Sequence, residues 1–413
     1  MDNIIPKMVK IEMHYAAPKI DDIPEAVRNE LKRVHLCQLI KPEEQVAIAV
    51  GSRGIANIPL IVKTVVEEVK KAGAHPFIVP AMGSHGGATD EGQKKVLEHL
   101  GITPDTVGAP IKSSMEVEEV GVTQNGAKVF FDHHAFQADS IIVINRVKPH
   151  TGFTGKNESG LMKMISVGLG KHKGCIEMHA KGLARTIGDA ARVAMENTPI
   201  KLGIALVENQ YDQTAQIVAA DAAHLEETDA ELLLKAKHLM PALPVEDIDL
   251  LIVDEMGKNI SGTGMDVHVI GRMYKLGMAE PKSPVIKRIV VRDLTEASHG
   301  NALGMGLADL ITRRMADKID IKVTNENVLS AAVLERGRMP IVMETDLDLI
   351  VSGLKSIEAI DMAKARVIRI KNTLEIARME VSEPIAQELA AAENIKILSE
   401  PFAWRFDSDG RLL

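Results

Sequence analysis

What this 413-residue sequence has little of narrows its chemistry before any motif is read. Its two cysteines, Cys37 and Cys175, cannot build a disulfide framework or a four-thiolate zinc site. Three Tyr, seven Phe and one Trp do not make a base-stacking surface. Basic side chains are outnumbered 49 to 57, for a formal net charge of −8, so no basic stripe is available for a nucleic-acid backbone. No apolar run approaches the roughly 20 residues that span a bilayer. The opening Met-Asp-Asn-Ile-Ile-Pro-Lys lacks a charged-then-apolar leader, so the expectation is a cytoplasmic protein without nucleic-acid or membrane partners. No GxGxxG opens a helix, and neither GxxxxGK[ST] nor HExxH occurs. Internal repeats and low-complexity runs are absent too.

What is present is an alternation of strands and helices. Val46–Val50, Pro76–Pro80, Ser140–Asn145 and Lys201–Val207 are short apolar runs of strand length. Leu60, Ile61, Val65, Val66 and Val69 recur at helical spacing up to Ala72, and Asp90 to Leu100 reads as a helix stopped by Gly101. An acidic-to-Leu-rich helix runs from about Ala222 to Leu239, and Pro241-Ala-Leu-Pro244 reads as a joint. A second unit starts at Asp249–Asp254 and includes Ile289–Arg292, an Ala/Gly-rich helix after His299, and Ala363–Arg369. The fold class expected is α/β, as two α/β domains with parallel or mixed sheets and an interdomain active-site cleft. The boundaries expected are 1–245 for the N-terminal domain and 246–384 for the C-terminal one. The tail 385–413, with the only tryptophan, Trp404, is expected to pack back on the N-terminal domain.

The unusual residues fall at strand ends. Arg53 lies three residues past Val50, His85 five past Pro80, and His150 five past Asn145. In open parallel sheets ligands bind outside the carboxyl ends of the strands, so three strand ends would aim these side chains at one crevice. Gly83-Ser84-His85-Gly86-Gly87 is either a glycine-rich turn with an exposed imidazole or a loop that positions an acid or base titrating near neutral pH. The 35 residues from Asn145 to His179 interleave His150, His172 and His179 with lysines and glycines, a mixture too costly for a core. Lys148, His150 and His179 match no zinc spacing. Cys175 reads as a small buried residue or a ligand, and His172 between two lysines as a solvated side chain. Arg53 is either ordinary loop material or a bidentate carboxylate clamp. Gly257–Asp266 has the composition of a phosphate loop without its order, and is read as a loop lent to the cleft.

At these residues the chain resembles the lactate racemase family, the nickel-pincer-dependent 2-hydroxyacid racemases and epimerases. The resemblance covers most of the chain: a strand and arginine loop, Gly83-Ser84-His85-Gly86 where the family has Gly-Thr-His-Arg, Pro149-His150, then Lys163 with His179 sixteen residues on, then a second α/β domain. It implies a pyridinium-3,5-bisthiocarboxylic acid mononucleotide carrying nickel and joined covalently to Lys163. Gly83, Ser84 and Gly160 would bind that cofactor, and His179 would ligate its metal. The implied reaction passes the C2 hydrogen of a 2-hydroxyacid to the cofactor as hydride and returns it to either face. His85 and His150 would exchange the hydroxyl proton. Arg53, Lys148, Asp266 and Arg272 are the substrate contacts implied. Partners would be a small 2-hydroxyacid and the enzymes that make the cofactor, and a homo-oligomer is compatible with this reading.

Departures mark a divergent branch. Val50-Gly-Ser-Arg53-Gly replaces Asp-x-Thr-Arg-Pro, Gly160-Leu-Met-Lys163 replaces Gly-Gly-x-Lys, and the family's Gln-x-x-Lys pair has no counterpart. The interval from His150 to Lys163 is longer than in the family, which makes Lys156 a competing anchor. The altered contacts suggest a larger or more polar hydroxyacid than lactate, such as a sugar acid. Two other readings stay open: a metal-dependent hydrolase or lyase using the same histidines, and a non-catalytic small-acid-binding homologue.

Overall fold

A computed structural model describes residues 5–15, 17–52, 54–359 and 361–413. The chain forms two compact units, Ala16–Met240 and Met1–Tyr15 with Pro241–Leu413. Strand β1 (Met8–Met13) therefore belongs with the C-terminal unit rather than with residues 16–240.

The N-terminal unit is built on β2 (Gln45–Val50), β3 (His75–Pro80), an antiparallel hairpin of β4 (Val117–Val122) and β5 (Lys128–Asp132), then β6 (Ser140–Arg146), β7 (Ile200–Glu208) and β8 (Thr214–Asp221). Its five-stranded sheet runs β3-β2-β6-β7-β8, parallel except for β8. Val46, Ile48 and Val50 turn to one face, where they meet Ile61, Val62, Val65, Val66 and Val69 of the helix Ile58–Lys71. Each such side chain contributes about 1.5–3 kcal/mol relative to exposure. The alternate Ala47 and Ala49 are buried on the opposite face. A strand covered on both sides reads as a continuous apolar run, which is why these strands were visible in the sequence. The chain goes from β2 to β3 on one side and later to β6 on the other. The gap between the ends of β2 and β6 is thus the switch point at which α/β sheets bind ligands.

The C-terminal unit carries β9 (Asp247–Val253), β10 (Val285–Val291), β11 (Leu310–Thr312), β12 (Ile341–Met343), β13 (Val367–Ile370), β14 (Arg378–Ser382) and β15 (Ile395–Ile397). With β1 they form one mixed sheet, β12-β11-β10-β9-β13-β14-β1-β15. Leu250 and Ile252 join one apolar cluster, Leu251 and Val253 the other.

Two expectations need correction. The tail and β1 pack with the C-terminal unit: β1 pairs with β14 and β15, Met8 and Phe402 exchange backbone hydrogen bonds at 2.8 and 2.9 Å, and Trp404 Nε1 donates to Glu380 at 2.6 Å. Sequence-distant strand pairing decided this, and local pattern carries no trace of it. The segment after His299 is not a helix. His299 itself takes a left-handed φ of 47°, and only a short 3-10 turn, Met305–Leu307, follows.

A buried charge network closes the tail. The Asp346 side chain is fully buried and accepts from Arg292 at 2.7 Å, Arg314 at 3.2 Å and the Leu412 amide at 3.0 Å. Asp346→Ala leaves Arg292 buried with one carboxylate fewer and should cost about 3–5 kcal/mol, read by urea unfolding. A variant within about 0.5 kcal/mol of wild type, as for a surface substitution, contradicts this assignment.

Candidate active site

Each loop leaving the carboxyl end of β2, β3 or β6 contributes to one cavity of about 240 Å³ within the N-terminal unit. The β2 loop brings Gly51 and Ser52, the β3 loop Gly83, Ser84 and His85, and the end of β6 Asn145, Arg146, Lys148 and His150. Lys163, Cys175 and His179 close the wall. Arg53 lies outside the described residues.

His85 and His150 are each held by a specific contact. His85 Nδ1 meets the Ser52 hydroxyl. Its loop turns through left-handed glycines: Gly86 has φ 66°, and a Cβ there would fall 2.6 Å from the Gly92 carbonyl carbon, so only glycine fits. His150 Nδ1 accepts from the Gly152 amide at 2.9 Å, and its ring stacks on Phe153 with centroids 4.3 Å apart. A ring nitrogen that accepts carries no proton, so neutral His150 keeps its proton on Nε2.

The segment from His150 to Lys163 is fastened to the helix Leu225–Leu239. The buried Glu158 carboxylate accepts from the amides of His150 (2.7 Å) and Gly155 (3.2 Å) and pairs with Lys237 at 2.7 Å. Asp229, one per cent exposed, accepts from the Leu161 amide at 2.7 Å and Asn157 at 3.0 Å. Gly160 is pressed against it: a Cβ would sit 1.9 Å from Asp229 Oδ1. Lys163 ends the short helix Leu161–Lys163, and Met164–Gly168 continue as π-helix, a form frequent at functional sites. His179 and Cys175 lie one turn apart on the helix Lys171–Lys181, with Cys175 Sγ 3.6 Å from Ser84 Oγ.

Of the residues expected to act, His85, His150, Lys163, His179, Lys148, Gly83 and Ser84 share this cavity. Gly160 does not line it; it lets the chain approach Asp229. Lys156 is exposed and paired with Glu226 at 3.0 Å, which leaves Lys163 as the cavity's lysine of the two. His172 is exposed and off the cavity wall. Arg272 is 7% exposed and spends its guanidinium on Leu307 O (2.8 Å), Asp309 (3.0 Å) and Ile286 O (3.3 Å), so it braces its own unit rather than reaching a substrate. Asp266, also in the C-terminal unit, accepts from the His268 amide at 2.8 Å. Sequence reasoning missed Ser52, Asn145 and Arg146. Asn145 donates to Gly160 O at 2.7 Å, and Arg146 pairs with Glu208, which also accepts from the Ala56 amide at 2.6 Å. Two polar residues ending an otherwise apolar strand were the available signal. Among the described residues that line the cavity there is no aspartate or glutamate, although the chain as a whole is acidic. Among the described residues, no three or more His, Cys, Asp or Glu stand together as a metal-ligand set.

Two α/β units, with a histidine- and lysine-lined cavity at a sheet's switch point, define the class: an α/β protein with an enzyme-like site. Residues 3–191 match the family model of the lactate racemase N-terminal domain. The fold is similar to that of the lactate racemase apoprotein from Thermoanaerobacterium thermosaccharolyticum, at 12% identity and TM-score 0.52, covering 89% of this chain and 99% of that one. A protein from Thermotoga maritima is similar at 13% identity and TM-score 0.48, over 67% of this chain and 72% of that one. No curated protein matches the chain. No helix among the described residues is long and apolar enough to cross a membrane.

Burial raises the Asp229 pKa to about 6, against the opposing pull of the Leu161 amide and Asn157. A carboxyl raised in the fold stabilises it below its unfolded pKa, and that contribution fades as pH rises through about 6. Wild type should therefore lose about 1 kcal/mol relative to Asp229→Asn between about pH 5 and pH 7. Parallel pH slopes of the two urea midpoints would show that Asp229 is ionised throughout.

Proposed function

We propose that this protein is an isomerase, a racemase or epimerase that inverts the C2 centre of a 2-hydroxyacid. The observation that carries this reading is one cavity holding two independently braced histidines, cationic side chains and no lining carboxylate. Such a wall favours a small anion, and two separately held imidazoles suit proton exchange from two directions.

Lys148, together with Arg53 as read from the sequence, would bind the substrate carboxylate. Protonated on both nitrogens, with the Gly152 contact released, His150 can give its Nε2 proton to a C2 oxygen and return to neutral imidazole. His85, with Nδ1 engaged by the Ser52 hydroxyl, takes up the hydroxyl proton when Ser52 accepts and Nε2 is bare. In the reverse direction the two exchange roles.

The residues present fit the family's nickel-pincer nucleotide: a cavity-wall amine at Lys163, an imidazole at His179 on the same wall, and a surround without carboxylates for a phosphorylated ligand. Lys163 would hold the group covalently, His179 would supply its protein nitrogen, and Gly83 and Ser84 would border it. When bound, the group supplies a two-electron acceptor for the C2 hydrogen, which no histidine is basic enough to remove as a proton. The metal-dependent hydrolase reading finds no comparable support, because His85, His150 and His179 do not group as one ligand set.

Cofactor-loaded protein should erase the optical activity of an enantiopure 2-hydroxyacid, and His85→Ala or His150→Ala should each lower the rate by about 10²–10⁴-fold. Polarimetry across a panel of hydroxyacids checks this. Full interconversion by either variant contradicts the two-histidine assignment.

A further inference from the structure

Beneath the cavity wall lies a second set of charged groups that none of the proposed chemistry uses. Lys171 is fully buried, as is its partner Asp132, 3.0 Å away. Its ammonium also donates to Pro80 O at 2.5 Å, at the end of β3, and to Gln93 Oε1 at 3.0 Å. Two of the ammonium's three donors are placed on these oxygens, and Asp132 adds the opposite charge. Lys171 itself sits at φ 53°, a left-handed conformation that disfavours a side chain. The strain is offset by what the head group reaches.

Gln93, also fully buried, uses its amide in both senses. Its Oε1 accepts from Lys171, and its Nε2 donates to the carbonyls of Gly83 (2.9 Å) and His85 (3.3 Å). The ammonium fixes this orientation, because a flipped amide would set donors against a cation and oxygen against two carbonyls. The other Asp132 oxygen accepts from the Ala135 amide at 2.8 Å, holding the helix His133–Phe136 that follows β5. Lys171 also opens the helix that carries Cys175 and His179. None of Lys171, Gln93 and Asp132 lines the cavity.

We infer that Lys171 and Gln93 are positioning residues: through Gln93, one buried ammonium sets the His85 loop in place against the helix bearing His179. Their importance for turnover rests on the reading of His85 as an acid/base, but their control of its placement does not. Burial lowers the Lys171 pKa and Asp132 counters it, so a charged ammonium here depends on that carboxylate, with Asp90 adding a weaker pull.

The test needs neither cofactor nor substrate. Apoprotein is treated with diethyl pyrocarbonate, and the rate of modification at His85 is taken relative to the exposed His172 by peptide mass mapping. Gln93→Glu keeps an acceptor for Lys171 but turns a carboxylate towards the Gly83 and His85 carbonyls; Gln93→Leu removes both contacts; Lys171→Met removes the ammonium. In both Gln93 variants the His85-to-His172 ratio should rise several-fold while circular dichroism and the His172 rate stay at wild-type values. A ratio no higher than wild type in both folded Gln93 variants overturns the inference, whether or not Lys171→Met folds. A raised ratio in a protein whose loaded wild type racemises nothing keeps the brace and removes the racemase reading.

Discussion

The parallel pairing of β3, β2, β6 and β7 is the constraint on which the rest of the N-terminal unit depends. Parallel strands all end at the same edge, so every strand-to-helix connection must leave there. Apolar packing of Val46, Ile48, Val50 and the helix Ile58–Lys71 fixes that edge. The ends of three strands then deliver Ser52, His85, and Asn145 with His150 to one place from three separate stretches of sequence. The cavity is a consequence of strand direction first and of side-chain chemistry second.

Strand direction alone does not hold loops rich in glycine and lysine. What holds them is a set of buried polar anchors beneath or behind the wall. Glu158 with Lys237 and Asp229 with the Leu161 amide tie the His150–Lys163 segment to the helix Leu225–Leu239. Lys171 with Gln93 ties the His85 loop to the end of β3 and to the next helix. Such anchors are costly to bury and strong once paired, so removing one member leaves an uncompensated group. Anions are kept behind the wall as braces, and cations and imidazoles line it. This division accounts for a cavity lined by lysines and histidines in a chain with a net charge of −8.

Much of this was legible in the sequence, because buried parallel strands are apolar runs and because the unusual residues followed them at short intervals. His85 and His150 were placed by that reasoning, and Lys163 and His179 by family resemblance; all four line the cavity. What stayed hidden depended on contacts between distant segments. Gly160 looked like a ligand-binding glycine, but Asp229, 69 residues on, explains its missing side chain. Arg272 was taken as a substrate contact from the family resemblance; its partners Leu307 and Asp309 come from a later strand connection. The tail was assigned to the other unit because pairing of β1 with β14 and β15 has no local signature. Lys171 passed unnoticed as one lysine among several, and only its burial separates it from Lys173.

Lys163 and His179 line one cavity, and the proposed reason is that together they hold a nickel-bearing nucleotide. Intact-mass and peptide-mapping spectrometry, with nickel analysis, tests it most directly. The protein is co-expressed with the enzymes that make the pincer group, and a lactate racemase loaded in the same host serves as control. The expected result is a covalent adduct on the peptide containing Lys163, nickel in proportion to it, and loss of nickel but not of the adduct in His179→Ala. An unmodified Lys163 without nickel, beside a fully loaded control, would contradict it.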